Sequence, residues 1–203
     1  MHNNEKNAVL EALLRIVNQF LPVLFWITLI FGFEEPRIAV HTIISAFIHE
    51  SGHVIYLKVR GITESRLRGD VSGFRIRSCS VLSYRDEIML YLCGPMANIL
   101  AALLLSPVHT EWATLLSALN IATAVSNLLP VEGYDGYGAL HALAEKRNPH
   151  GLCVRILDII SAAIIFSFCI LSIYFIDRFG AGYWIFALFF ASMLKQLNKW
   201  LKI

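Results

Sequence analysis

The chain has 203 residues, 57% of them hydrophobic and only 16% charged, with a mean hydropathy of +0.61. A soluble domain carries about 25% charged residues, so this composition excludes an ordinary soluble globule and implies an integral membrane protein. The net charge of +2 is too small to suggest a nucleic-acid partner, and Cys79, Cys93, Cys153 and Cys169 lack the C-x-x-C spacing of a metal site or redox pair and indicate no disulfide framework.

Taken in order, the chain opens with a polar stretch and then a first apolar segment over about 8–33. The apolar run passes straight through any small-residue cleavage site, so it reads as a retained span and not a removed signal peptide. Leu10, Leu13, Leu14 and Val17 give its start an amphipathic spacing suited to the interface, Arg15 can snorkel, and Pro22 would bend it. Glu34-Glu35-Pro36-Arg37 connects it to a second span, about 38–57. The next segment, 58–85, is crowded with Lys58, Arg60, Arg66, Arg68, Arg75, Arg77 and Arg85. Gly69-Asp70 is a turn signal, and Phe74-Arg75-Ile76-Arg77 alternates as a strand does, so a small β-hairpin at the membrane surface is expected. Its edge could hold an extended peptide by strand addition, or its basic residues could grip anionic lipid.

The third span, about 86–106, contains Gly94-Pro95, a point of weakness or close packing within a helix. The fourth, about 112–129, breaks down at Pro130, Gly133 and Gly136. Irregular backbone at that depth is tolerated where it lines a cavity or is buried in protein. A polar connection with a short helical piece, Gly138–Lys146, leads to a fifth span over about 152–176 and a sixth over about 183–197. The fold expected is all-α: one membrane domain over 1–203, a polytopic bundle of six transmembrane helices with a small membrane-surface β-hairpin. With both termini in the cytosol, Arg37 and Arg178 fall outside, and the seventeen Lys and Arg less these two leave fifteen on the cytosolic side or its edge. That is a strong positive-inside bias for a multi-pass protein of the cell membrane.

The second span carries His49-Glu50-Ser51-Gly52-His53 within an otherwise apolar or small-residue run, Ile38–Tyr56. Residues four apart lie on one face of a helix, so His49 and His53 can offer two imidazole nitrogens to one metal ion, with Glu50 beside them. This H-E-x-x-H pattern is that of zinc hydrolases, in which the two histidines bind Zn²⁺ and the glutamate is the general base. Ionisable residues at membrane depth are costly, which favours a functional reading over a satisfied pair of core histidines. Under this topology the metal would sit roughly 10 Å below the cytosolic surface. A catalytic zinc needs three protein ligands. Asp135 is the best candidate for the third: it follows an apolar span at matching depth, small Gly133 and Gly136 flank it, and no Lys or Arg is near in sequence. Glu132 is the alternative. His41, on a similar face, lies roughly 12 Å along the helix, too far for the same ion. His109 falls on the wrong side, and His2, His141 and His150 read as surface residues.

The combination resembles the site-2 protease family of intramembrane zinc metalloproteases. The matching residues are HESGH at 49–53, Gly-Pro-x-x-Asn at 94–98, and Asn127-x-x-Pro130 followed by Asp135-Gly136, in order on successive spans and covering about 38–140. The layout looks most like the compact branch that includes the sporulation protease acting on a sigma-factor precursor, but with Tyr137 where many members have a second Gly, and without PDZ or CBS domains. The resemblance implies one Zn²⁺ per chain on His49, His53 and Asp135, catalysis by Glu50, and a membrane-tethered protein substrate such as a transcription-factor or sigma-factor precursor. It also points to Asn127, and to Asn98, as donors to an oxyanion or the cleaved strand; capping the broken end of the fourth span is the other reading of Asn127. A metal transporter using the same histidines, and an inactive scaffold that binds clients without cutting them, are the rival functions.

Overall fold

The computed structural model describes residues 34–62, 65–70, 73–78, 82–147, 151–179 and 183–201, together with Thr28, Phe31 and Gly32. The expected first span, 8–33, therefore lies almost wholly outside the described residues. Helix α1 runs over Pro36–Val59, strands β1 and β2 over Ser65–Asp70 and Gly73–Ser78, and helices α2 to α6 over Tyr84–Leu105, Glu111–Asn127, Asp135–Arg147, Leu152–Phe179 and Tyr183–Leu201. The two strands pair antiparallel, with Arg66 opposite Arg77 and Arg68 opposite Arg75.

Local chemistry sets the helix ends. Pro36 stands in the first turn of α1, where its missing N–H has no partner to lose. The other end closes on Gly61 at φ 69°, where Gly61 N–H donates to Lys58 O at 3.1 Å and Ile62 N–H to Leu57 O at 2.9 Å. Such a paired closure requires a left-handed residue, which glycine adopts without Cβ strain. Ser83 and Thr110 cap α2 and α3, each hydroxyl accepting a backbone N–H three residues on, from Asp86 and Ala113. Helix α4 begins at Asp135, three residues before the helical piece read from the sequence. A carboxylate in the first turn, favoured by the helix dipole, outweighs the breaking tendency of Gly136.

Helix α1 packs on α2 and α3, α2 on α3 and α4, α4 on α5, and α5 on α6. The α1–α2 contact is backbone to backbone: a Cβ added at Gly52 would strike the carbonyl oxygen of Cys93 and come within 2.9 Å of the Ala97 side chain. Asp86 ties the same two helices at their ends. It accepts from the Tyr56 hydroxyl at 2.9 Å and Ser83 Oγ at 2.7 Å, and pairs with Arg60 at 2.6 Å. At the opposite end of α1, Arg37 meets Glu111 at 3.0 Å; this pair is exposed and contributes about 0–1 kcal/mol in a wet environment. A second cluster, Val131, Ile165, Cys169 and Phe189, joins the segment before α4 to α5 and α6. Polar bonds reinforce it: Glu132 N–H to Ser161 Oγ at 2.8 Å, the Tyr137 hydroxyl to Asp158 at 2.6 Å, and Gln196 Nε2 to the Asp158 carbonyl at 3.0 Å.

Polarity is inverted relative to a soluble bundle. His41, Ser45, His49, His53, Asn98 and Asn120 are buried, whereas Phe47, Val59, Leu103, Leu104 and Leu152 are largely exposed. Among the described residues two helices, Tyr84–Leu105 and Leu152–Arg178, are long and apolar enough to cross a membrane. If the Gly52 contact sets the α1–α2 distance, Gly52→Val is expected to destabilise the fold by about 1–3 kcal/mol, the usual cost of overpacking. Denaturant or thermal unfolding in detergent measures it; unchanged stability would show that the helices part at no cost.

Candidate metal centre

Each ligand candidate is presented by a different local device. His49 and His53 project from one face of α1, with ring centroids 4.9 Å apart and planes at 76°. Asp135 is brought to them by the first turn of α4, immediately after the irregular segment that follows α3. Gly136 makes that approach feasible, since a Cβ there would collide with the carbonyl of Leu128. Asp135 Oδ2 lies 2.9 Å from His49 Nε2 and 3.3 Å from His53 Nε2, and the two Nε2 atoms are 3.2 Å apart. All three residues are largely removed from solvent, the Asp135 side chain being 16% exposed and both imidazoles less.

The hydrogen bonds behind the imidazoles determine what these atoms can do. His49 Nδ1 is 2.7 Å from Asn98 Oδ1, and His53 Nδ1 is 2.8 Å from the carbonyl oxygen of Leu90. Both partners are acceptors, because the Asn98 nitrogen is used elsewhere: Nδ2 donates to Ser45 O at 2.9 Å and to Asn120 Oδ1 at 2.8 Å. Each neutral imidazole has one proton, and the acceptor behind it draws that proton to Nδ1. Both Nε2 atoms are then left with bare lone pairs facing a carboxylate oxygen, and Asp135 Oδ2 has no hydrogen-bond partner although it is buried. Three acceptors without a proton between them would repel; a cation among them removes the conflict.

Size agrees with chemistry. Tetrahedral zinc with ligand bonds of about 2.0–2.1 Å has ligand atoms about 3.3 Å apart. The three separations here, 2.9, 3.2 and 3.3 Å, fall at or just under that edge. Space is reserved as well: a Cβ at Gly94 would collide with His53 Nε2 and stand 2.7 Å from His49 Nε2. His49, His53 and Asp135 are thus a group that could hold a metal ion, with two nitrogen ligands and one oxygen.

Glu50 stands beside this group on α1, half-buried and within electrostatic range of His49, His53 and Asp135. Glu132, the alternative third ligand, is not part of the cluster among the described residues. Asn98 does not face a cleft. It has no exposed surface, and both ends of its amide are engaged inside the bundle. Its amide stands behind His49, and sequence shows a polar residue one helix away but not which way it turns. Asn127, the last residue of α3, donates from Nδ2 to Thr123 O at 3.0 Å, a bond within its own helix. His41 is 2% exposed, with Nδ1 2.6 Å from Arg37 O and its ring 5.1 Å from Trp112, away from the cluster. The Leu90 carbonyl, the acceptor for His53, is invisible in sequence because any residue supplies one.

Gly94→Ala is expected to cost the protein its metal while α2 still forms, since alanine suits a helix interior but its methyl takes the ion's space. Metal content of the purified variant checks this; zinc bound at one per chain with wild-type affinity would show that the gap serves packing alone.

No protein-family model matches the chain, and no curated protein matches it in sequence. Among solved structures it is similar to the site-2 protease from Methanocaldococcus jannaschii, with a TM-score of 0.64 over 89% of this chain and 88% of that one, at 17% identity. The two chains follow the same path through space across most of their lengths, and the chain therefore has the site-2 protease fold.

Proposed function

We propose that the chain is an intramembrane zinc metalloprotease, hydrolysing a peptide bond in or near the transmembrane segment of a membrane-tethered protein. The observation that carries this reading is the convergence of His49 Nε2, His53 Nε2 and Asp135 Oδ2, with Glu50 next to them. When bound, zinc supplies Lewis acidity, lowering the pKa of a water ligand to about 7 and polarising a carbonyl. The residues supply the rest. His49, His53 and Asp135 hold the ion. The Glu50 carboxylate holds the proton taken from the attacking water and passes it to the leaving amine. Asn127 donates to the oxyanion or fixes the cleaved strand, as the resemblance implies. Because a helix hides its carbonyls, the substrate must be extended at the site, and the β1–β2 edge is the element to hold it by strand addition.

The finer organisation belongs to the same proposal: six spans, the hairpin at the membrane surface, both termini in the cytosol, and the metal near the cytosolic face. The substrate class is a membrane-tethered precursor of a transcription factor or sigma factor. A transport role fits less well. The polar residues next to the histidines, Ser45, Asn98, Asn120 and the partly buried Thr123, spend their hydrogen bonds on one another and on backbone carbonyls.

Glu50→Gln is expected to keep one zinc per chain and lose cleavage of a single-span substrate by about 10²–10⁴-fold, the contribution of a positioned general base. Asp135→Ala should lose both metal and cleavage. Zinc analysis and gel assay of the reconstituted protein separate the rivals. Wild-type-level cleavage by Glu50→Gln rejects the assignment of Glu50, zinc flux into vesicles favours the carrier, and zinc binding without cleavage by the wild type favours the scaffold.

A further inference from the structure

The orientation of the Asn98 amide decides whether His49 can bind a metal, and that orientation is not set by Asn98 itself. If Nδ2 faced His49, the imidazole would have to accept there, its proton would move to Nε2, and the ligating lone pair would be lost. Two acceptors prevent this, the Ser45 carbonyl of α1 and Asn120 of α3. Asn120 Nδ2 donates to Leu116 O at 2.8 Å, and a carbonyl can only accept. Asn120 Oδ1 therefore turns to Asn98, where it accepts from Nδ2 at 2.8 Å. The second hydrogen of that Nδ2 goes to Ser45 O at 2.9 Å. With both its hydrogens claimed by acceptors, the Asn98 nitrogen is pinned, and Oδ1 is left for His49 Nδ1 at 2.7 Å. Ser45, Asn98 and Asn120 are all 0% exposed, so bulk water cannot take over any of these bonds. A buried amide without partners costs about 1–3 kcal/mol. An asparagine at this depth, off every motif that marks the site, is there for its hydrogen bonds.

We propose that Asn120 is a positioning residue of the metal centre: through Asn98 it holds His49 in the tautomer with the proton on Nδ1, keeping Nε2 open for the ion. This rests on the reading of His49, His53 and Asp135 as metal ligands. Asn120 touches none of them directly and acts at one remove, as outer partners of ligating histidines do.

The test is zinc affinity of the full chain in detergent, measured by competition with a chromophoric chelator, together with the ligand-field spectrum of the cobalt-loaded protein. Asn120→Leu, similar in volume but without polar atoms, is expected to weaken zinc binding about 10–100-fold and to alter the cobalt spectrum. Asn120→Asp is expected to restore affinity: a buried carboxyl stays protonated, and can donate to Leu116 O while accepting from Asn98. A merely structural Asn120 would lower thermal stability in Asn120→Leu and leave affinity and spectrum unmoved, and that result overturns the proposal. Nitrogen-15 NMR of the metal-free wild type tests it without any variant, so a leucine variant that fails to fold does not end the matter. His49 is expected protonated at Nδ1, and protonation at Nε2 overturns the proposal. Absence of zinc binding by the wild type would instead reject the metal-centre reading, whereas wild-type binding with an indifferent Asn120→Leu would reject only the role of Asn120.

Discussion

Two imidazole lone pairs and a carboxylate oxygen point at one another in a space from which water is largely excluded. With each neutral imidazole donating its one N–H to an acceptor behind it, Asn98 Oδ1 in one case and the Leu90 carbonyl in the other, no proton is left between them. Such an arrangement is unfavourable by itself, and more so at low dielectric, where like-signed charges interact strongly. Its sign reverses when a divalent cation occupies the centre. The glycines around it make the same point sterically. Gly94 leaves room at the ligand atoms, and Gly136 lets the chain bring Asp135 close. Both the polar and the steric features are costs to a protein without a metal and assets to one with it.

Away from water a polar group is costly unless it is hydrogen-bonded, and most of the buried polar groups between α1, α2 and α3 find a partner within the protein. Ser45 does so with the Leu119 carbonyl and Thr123, and Asn98 with Ser45 and Asn120. The result is a compact polar lattice between α1, α2 and α3 that surrounds His49 on the side away from the metal. Such lattices are rigid because each member is satisfied only in one orientation. Precision at the ligand atoms is thus obtained from bonds several residues removed from the chemistry.

What was legible in the sequence was whatever depends on short spacing. His49 and His53 are one helical turn apart, so their shared face follows from 3.6 residues per turn whatever the rest of the chain does. The helices lie close to the apolar segments because length and hydropathy fix them. Asp135 was legible at longer range, since the broken backbone after α3 marked where an apolar helix gives way to a site. The start of α4 was misplaced because Gly136 reads as a breaker, whereas here it sits in a first turn stabilised by an aspartate. The place of Asn98 was not legible at all. It depends on which way an amide turns between helices, and its partners Ser45, His49 and Asn120 are 53, 49 and 22 residues away in sequence. Asn120 belongs to the same blind spot, as a polar residue in an apolar helix looks alike whether it is a joint in a network or a tolerated exception.

The ligands are drawn from two differently anchored parts of the fold. The histidines belong to α1, held by α2 and α3 through the Gly52 contact, the Asp86 cluster and the Asn98 network. Asp135 belongs to α4, which packs on α2 and is tied to α5 and α6 through Ser161, Asp158 and the core around Val131. An ion bound to all three therefore cross-links these parts, and its binding energy adds to whatever packing between α2 and α4 contributes, since a ligand that binds only the folded state stabilises it.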